Sequence, residues 1–417
     1  MLYALGVVGF ALAILISVSL HEAGHMVTAK RFGMKVTRFF VGFGPTMFSF
    51  RRGETEYGVK WIPLGGFCKI VGMTPQDDDI DPEDEPRAMW RFPVWKRTIV
   101  MSAGSITHFA LALVALWFAA AFVGLPNPDL PKDDTEVRSQ PAQVFVGECV
   151  KIQASERPCA VGTGTDIASP AFAAGLRTND VITQVGTTPV DNYGELTDTI
   201  RAQQPGPVPF TYVRDGQTGT ATVTLVAVER APIGDPDGPV QRVALAGVNW
   251  TTTKPAFVTY GATGAFPAVG DYAQQLVVGT FESLKKIPEK VPALWNSITG
   301  SERDPETPIS VVGASRLGGE AIAAGLPQYF LMIFIALNVF IGIFNLLPLL
   351  PLDGGHIAIA WFERVRSWLY AKLKRPDPGR VDYFKLMPVT YAVILIGGAF
   401  TLLTVTADIV NPISIFR

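Results

Sequence analysis

Four stretches of the chain are apolar over a length that can cross a membrane. A helix needs about 20 mostly apolar residues to span the hydrocarbon core of a bilayer. The chain offers predicted transmembrane helices at 1–29, 98–125, 327–353 and 386–411. The first has no basic leader and no small-residue cleavage site, so we interpret it as a retained span rather than a signal peptide. The pattern predicts a polytopic α-helical membrane protein.

The longer segments between these spans follow strand-like patterns. In the 30–97 loop, residues 54–73 carry β-rich runs on both sides of a Pro-Leu-Gly-Gly turn at 63–66, which predicts a β-hairpin. In the 126–326 segment, short alternating runs at 144–230 surround one helical stretch. This predicts a compact, mostly-β domain of about 85 residues. Amphipathic helices are expected to follow it.

Basic residues are distributed unequally among these segments. Lys and Arg number 12 in the 30–97 loop and 7 in the 354–385 loop, against 15 in the much longer 126–326 segment. Short loops rich in Lys and Arg stay in the cytoplasm under the positive-inside rule. We therefore expect the two short loops inside and the 126–326 segment outside.

Composition agrees with this interpretation and excludes other classes of protein. Hydrophobic residues make up 48% of the chain and charged residues only 17%, with a mean hydropathy of +0.27. A soluble domain carries about 25% charged residues. The formal net charge of −2 argues against a nucleic-acid partner. Three cysteines without CxxC spacing are too few for a disulfide scaffold.

The end of the first span carries a metal-binding pattern, HEAGH at 21–25. Residues i and i+4 lie on one helix face, so His21 and His25 can both reach one Zn²⁺. Glu22 then lies beside the ion as a general base. Two polar residues that mark a helix end would explain the position of the motif but not its spacing.

A catalytic zinc needs a third protein ligand and an open position for water. The strongest candidate is Asp353, in the segment NLLPLLPLDGGH at 345–356. An ionisable group at the edge of a span is costly unless it is paired or metal-bound, and the following Gly354 and Gly355 permit a sharp turn. An ordinary Asp-Gly turn is the alternative. The sequence thus predicts a His₂Asp site formed by two helices.

Three further residues near the third span could support a reaction. Asn345 and Asn338 lie about two turns apart on one helix face, and either amide could bind the substrate carbonyl or a developing oxyanion. For Asn338, interhelical hydrogen bonding is an equal alternative. Pro348, together with Pro351, breaks the helix and could open backbone groups to a polar cavity.

Two histidines are given no part in binding the metal. His356 would close the coordination shell as a fourth protein ligand, so we interpret it as a neighbour of the ligands or an interfacial residue. His108, in the second span, is interpreted as a packing residue.

Together these motifs resemble the site-2 protease family of intramembrane zinc metalloproteases, the peptidase M50 type. The pairing of HEAGH with NLLPLLPLDGG is similar to that of bacterial four-span members with one PDZ domain, including actinobacterial regulators of anti-sigma-factor proteolysis. Residues 42–73 are similar to the family's membrane-associated β-hairpin region. Residues 91–104 are similar to the start of its second span.

The resemblance implies roles for particular residues. By motif position, the zinc ligands fall on His21, His25 and Asp353, and the catalytic carboxylate on Glu22. One departure lies in the second span, where the family's GPxxN reads GSITH at 104–108. No role can be transferred there from the usual Asn.

The resemblance also implies a PDZ domain outside the membrane, acting as a size filter or substrate sensor. ASPAFAAGLRTNDVI at 168–182 resembles SPAxxAGLxxGDxI, with Asn179 at a position where Gly is usual. Asn tolerates a left-handed backbone well. Cys149 and Cys159 would face an oxidising compartment and could either close a small loop or stay reduced. Cys68 is expected to be a free thiol.

The function implied is that of a protease in the bacterial plasma membrane, with Zn²⁺ as cofactor and its active site near the cytoplasmic side. It would cleave single-span membrane proteins such as anti-sigma factors after an upstream site-1 protease has trimmed them. The lipid bilayer is its environment, and no nucleic acid is involved. The alternative is a catalytically silent scaffold that recruits partners through the PDZ domain. A transporter is disfavoured because no paired repeats are found.

Overall fold

The structure is a computed structural model that describes residues 1–73, 80–151, 159, 161, 166–233, 238–301 and 303–414. The chain divides into two compact units. The helical unit contains residues 1–125 and the described residues from 259 onward, and the β-rich unit contains residues 126–258. Each is described by itself.

The elements follow in chain order. The α-helices are α1 (Leu2–Arg31), α2 (Val94–Phe118), α3 (Asp134–Ser139), α4 (Pro170–Ala173), α5 (Tyr193–Ala202), α6 (Gly261–Ile298), α7 (Val311–Ala323), α8 (Pro327–Asn345), α9 (Asp353–Lys372) and α10 (Met387–Val410). The strands are β1 (Val36–Arg52), β2 (Thr55–Ile70), β3 (Leu125–Pro126), β4 (Val144–Val146), β5 (Cys149–Val150), β6 (Ile167–Ala168), β7 (Val181–Val185), β8 (Thr188–Pro189), β9 (Gly206–Arg214), β10 (Gln217–Arg230), β11 (Gln241–Leu245), β12 (Val248–Trp250) and β13 (Phe257–Val258).

Four helices of the helical unit are long and apolar enough to cross a membrane. They are α1, α2 with a π-helical turn that extends it to Val123, α8, and α10 with a preceding 3₁₀ turn that begins at Tyr383. The predicted four-span membrane protein is therefore confirmed. Helix α8, the third of the four spans, ends at Asn345 and not at 353 as predicted, because Pro348 cannot donate the backbone hydrogen bond that would continue it.

The β-rich region before α2 is a hairpin whose turn differs from the predicted one. Strands β1 and β2 are joined at residues 53–54, and 63–66 lie within β2. Residues 46–52 pair with 55–60, and residues 36–41 pair with 66–70 and also, over 38–41, with 56–59. The Pro-Leu-Gly-Gly segment connects these two parts of β2, and Gly65 within it has φ +117°. The predicted turn therefore connects two strand segments that lie on opposite sides of 38–41, and it is not the tip of the hairpin.

The β-rich unit is built around a five-stranded sheet in the order β11-β10-β9-β7-β8. Its core contains fully buried apolar residues from the sheet and from α5, among them Val185, Leu196 and Phe210. The predicted helix is α5, which begins after Asn192, whose side chain accepts a hydrogen bond from the Glu195 N–H. Such a cap satisfies an otherwise unpaired donor of the first turn.

The cysteines resolve into one pair and one free thiol. Cys149 and Cys159 form a disulfide, which decides between the two alternatives that the sequence left open. Cys68 is free, as predicted. Burial raises the pKa of the Cys68 thiol to about 12, with the nearby Glu22 carboxylate as a second cause, so the thiol is neutral at physiological pH.

A buried ion pair attaches α10 to the segment before α7. Asp408, to which the sequence assigned no role, lies 2.8 Å from the guanidinium of Arg303. Its other carboxylate oxygen accepts hydrogen bonds of 2.6 Å from the Ser310 N–H and hydroxyl. Because both charged groups are buried, each depends on the other, and removing one would leave an uncompensated charge.

The exposed residue Asn179 gives a test of the backbone in the β-rich unit. It has φ +76°, the left-handed conformation that the sequence predicted at this Gly-like position. Asn179→Val should destabilise this unit by about 1–2 kcal/mol because a β-branched side chain collides with the following carbonyl oxygen in that conformation. Hydrogen exchange of strand β7 in the full-length protein measures the loss. Asn179→Gly is the control and should leave exchange at or below the wild-type rate; equal rates for the two variants would contradict the prediction.

Candidate metal centre

Helix α1 brings the two imidazoles of HEAGH together. His21 and His25 lie on its buried face, 7% and 6% exposed. Their Nε2 atoms are 3.1 Å apart and their rings meet edge to face. The i, i+4 spacing therefore places both imidazoles on one face of α1, as predicted, because residues about one helix turn apart lie on the same face.

Asp353 is far from the two histidines in the sequence, but its carboxylate lies beside their imidazoles. It is the first residue of α9, after the Pro-containing segment that ends α8. Its Oδ2 atom lies 3.3 Å from the Nε2 atoms of both His21 and His25. The glycine after it is needed for this approach, since a Cβ on Gly354 would collide with the carbonyl oxygens of Leu346 and Leu347.

These three side chains fit a zinc ion. Ligand atoms about 2.05 Å from a tetrahedral zinc lie about 3.3 Å from one another, which is the spacing of the two Nε2 atoms and the Oδ2 atom. The buried Oδ2 of Asp353 has no hydrogen-bond partner in the described part of the chain. His25 Nδ1 donates to the Val100 carbonyl at 2.7 Å, which leaves the Nε2 lone pair for a metal.

Glu22 lies between this cluster and the hairpin. Its carboxylate interacts with the backbone N–H of Cys68 in β2. A Cβ built on Gly66, in the same strand, would lie 3.6 Å from the Cγ of Glu22. The outer strand 66–70 therefore runs directly past the candidate base. In the described residues its outer edge is paired with no further strand.

The second span supports the cluster through a residue that the sequence did not single out. A Cβ on Gly104 of α2 would collide with the His21 ring and lie 2.5 Å from His25 Nε2. Only a glycine lets α2 pack this closely against both imidazoles. The signal in the sequence was the GSITH segment, which was interpreted only for its departure from the family pattern.

Asn338 and His108 lie in a buried hydrogen-bond network next to the cluster. His108 Nδ1 is 2.8 Å from Asn338 Oδ1, and the Ser17 hydroxyl also donates to that oxygen. The Asn338 amide nitrogen donates to the Phe334 carbonyl at 2.8 Å, which fixes the orientation of the amide. This arrangement is the interhelical bonding that the sequence left as one of two alternatives. The His108 ring lies 5.0 Å from that of His21.

The remaining predicted residues lie around the cluster rather than in it. Asn345 is half-buried at the last residue of α8, and Pro348 is exposed in the following segment. His356 is one turn into α9, where its ring stacks on Tyr383 with the centroids 6.1 Å apart. Among the described residues of this unit, the group that could hold a metal ion consists of His21, His25 and Asp353. His356 is not part of it.

Gly104→Ala tests whether the close approach of α2 positions the ligands. The added methyl group must push the imidazoles or α2 aside, so zinc affinity should fall by about 10–100-fold, the range for changes around metal ligands. Zinc content of the purified protein against a graded chelator measures this. Gly9→Ala is the matched control, because a Cβ there meets nothing within 4 Å. Wild-type zinc retention in Gly104→Ala would refute the prediction.

Comparison with known proteins places the chain in a family. Residues 9–375 match the model of Peptidase family M50. The chain is 43% identical over 422 residues to the zinc metalloprotease Rip1 of Mycobacterium tuberculosis (strain ATCC 25618 / H37Rv) and 44% identical over 423 residues to that of Mycolicibacterium smegmatis, with 100% of each chain covered. A putative zinc metalloprotease of Nostoc sp. is 27% identical over 414 residues, covering 96% of this chain and 95% of the relative. The chain belongs to peptidase family M50, the site-2 proteases.

Proposed function

We propose that the protein is an intramembrane zinc endopeptidase whose ligands are His21, His25 and Asp353 and whose catalytic base is Glu22. The observation that carries the proposal is the spacing of 3.1–3.3 Å among two Nε2 atoms and one carboxylate oxygen, beside a second carboxylate. Zinc bound at such a site polarises the substrate carbonyl and lowers the pKa of a bound water. Three protein ligands leave one position open for that chemistry.

Glu22 moves the proton in this proposal. Its carboxylate accepts a proton from the attacking water and returns it to the nitrogen of the leaving amine. The N–H of Cys68 interacts with the carboxylate and stabilises its charged form. Positioning of this kind matters because a general base must lie within hydrogen-bond reach of the proton that it takes.

The outer strand 66–70 is the proposed binding site for the extended substrate. A transmembrane helix hides its carbonyl groups in its own hydrogen bonds, so it must unwind before hydrolysis. An extended peptide that pairs with an exposed strand edge recovers those hydrogen bonds. The edge of 66–70 is next to Glu22, so a segment paired there would present its carbonyl groups to the base.

The proposed substrates are single-span membrane proteins of the anti-sigma-factor type, trimmed first by a site-1 protease. The excess of Lys and Arg in the 30–97 and 354–385 loops supports an active site near the cytoplasmic side. We interpret the β-rich unit as an extracytoplasmic PDZ domain, with the domain centred on 144–230. Support comes from the motif at 168–182 and from the Cys149–Cys159 disulfide, a bond typical of oxidising compartments.

Glu22→Gln tests the catalytic role. The amide keeps the size of the side chain but cannot take a proton, so cleavage of a truncated single-span substrate should fall by about 10²–10⁴-fold. Zinc content should stay at the wild-type level because Glu22 is not a ligand. His25→Ala is the comparison variant and should lose both zinc and cleavage.

The pair of variants separates the protease from the scaffold. Processing of the substrate by Glu22→Gln at the wild-type rate would contradict the role of Glu22 as the catalytic base. It would favour a catalytically silent scaffold. Loss of zinc in Glu22→Gln would instead assign the carboxylate to the ligand set. The assay uses membranes that contain the full chain and a substrate already shortened on its outer side.

Cys68→Pro tests whether the backbone N–H beside Glu22 takes part in the reaction. Proline has no N–H, so it removes the backbone donor of Cys68 that interacts with the Glu22 carboxylate. Cleavage should slow by at least about tenfold, the equivalent of one lost hydrogen bond to a charged or reacting group. Cys68→Ala keeps the N–H and controls for loss of the thiol. Equal cleavage by the two variants, with zinc retained in both, would contradict a role for this N–H in the reaction.

A further inference from the structure

Helix α9 exposes an apolar face although it is not among the four spans. Trp361, Phe362, Val365, Trp368 and Leu369 are each 47–57% exposed. At 100° per residue these positions fall within an arc of about 120° on the helix surface. Such a stripe normally faces a protein core. Here it faces away from the described part of the helical unit.

The opposite face of α9 is occupied by hydrogen bonds within the protein. Glu363 pairs with Arg97 of α2 at 3.2 Å and accepts a hydrogen bond from the Val381 N–H. Arg366 donates to the Gly379 carbonyl, and Ser367 to Asp377. These contacts fix the rotation of the helix about its axis. The apolar arc is therefore held outward, and it does not turn inward to fill a gap.

The charge around this arc has one sign. Between 361 and 375 the exposed charged side chains are Arg364, Lys372, Lys374 and Arg375, all basic. The one acidic residue in that stretch, Glu363, is partly buried in its pair with Arg97. Lys372 lies over the Trp368 ring, with Nζ 4.2 Å from the centroid, so a cation and an exposed aromatic ring share the end of the helix.

We propose that α9 lies in the membrane interface and binds anionic phospholipid headgroups. Its aromatic and aliphatic arc enters the boundary between headgroups and acyl chains, and the basic side chains at its C-terminal end contact lipid phosphates. An amphipathic helix that combines aromatic residues on one side with Lys and Arg is the element that anionic membrane surfaces bind. Phosphates are the complementary occupant because the exposed charge of this stretch is uniformly positive.

This interaction has a consequence for the metal centre. Helix α9 begins at Asp353, and its first turn is packed against the backbone of the preceding segment, where a Cβ on Gly355 would lie 2.7 Å from Leu350 N. Trp361 donates from Nε1 to the Thr98 hydroxyl of α2 at 3.1 Å. Lipid bound along α9 therefore holds the helix that carries the Asp353 carboxylate against α2. The lipid site itself does not depend on any catalytic role.

The experiment measures lipid contact directly. The full-length protein is reconstituted in phosphatidylcholine vesicles with either spin-labelled phosphatidylglycerol or spin-labelled phosphatidylcholine at equal label density. The chain has eight tryptophans, so the α9 signal is the difference in quenching between wild type and Trp361→Phe/Trp368→Phe. We expect the phosphatidylglycerol label to quench this signal several-fold more strongly, and the difference to shrink at high salt.

Charge reversal gives the decisive comparison. Lys372→Glu/Lys374→Glu/Arg375→Glu should abolish the preference, because each basic side chain at an anionic surface contributes on the order of fivefold in binding. The control makes the same change in net charge in the β-rich unit, with Lys132→Glu/Arg177→Glu/Lys254→Glu. This variant should keep the preference for the phosphatidylglycerol label. Equal quenching by both labels in the wild type means non-selective lipid contact and overturns the proposal. A preference that survives the α9 substitutions, or no quenching of this signal, also overturns it.

Discussion

Burial of two imidazoles and a carboxylate at one point of a membrane-spanning unit is the constraint on which the remaining structure depends. A carboxylate oxygen without a hydrogen-bond donor, such as Oδ2 of Asp353, is costly in an apolar setting unless an ion binds it. The cluster also joins the first helix to the ninth. The backbone must come close enough for this, and glycine is required both at 104, beside the imidazoles, and at 354, after the carboxylate.

The hairpin explains how one strand can serve two purposes. Its outer strand 66–70 presents a backbone N–H to Glu22 and leaves an edge unpaired in the described residues. An unpaired edge is normally a hazard, because it invites association with other chains. Here it lies beside the candidate base, where association with an extended segment has a use. The turn at Gly65 carries β2 from one side of residues 38–41 to the other, where the outer strand lies next to Glu22 of α1.

Other polar groups in the spans show why the metal cluster stands out. Asp408 is bonded to Arg303 and Ser310, and Asn338 is bonded to His108, Ser17 and the Phe334 carbonyl. These groups are paired with one another by hydrogen bonds or an ion pair, as polar groups within membranes usually are. By contrast, His21, His25 and Asp353 direct three potential ligand atoms at a common point, and Asp353 Oδ2 has no donor in the described residues. Satisfied polar groups hold the helices together, and unsatisfied convergent ones indicate a ligand.

The amino-acid sequence by itself determined what depends on local spacing. The i, i+4 histidines, the four apolar stretches and the helix after Asn192 follow from geometry within a few residues, and each was predicted. The left-handed Asn179 was implied by the resemblance to the PDZ pattern. Contacts between distant segments were either predicted from a motif, as for Asp353, or were not predicted at all. The hairpin register, the Gly104 contact, the His108–Asn338 bond across 230 positions and the Arg303–Asp408 pair belong to this second group. Only the tertiary structure decided them, because which side chains meet across helices depends on packing that no local pattern encodes.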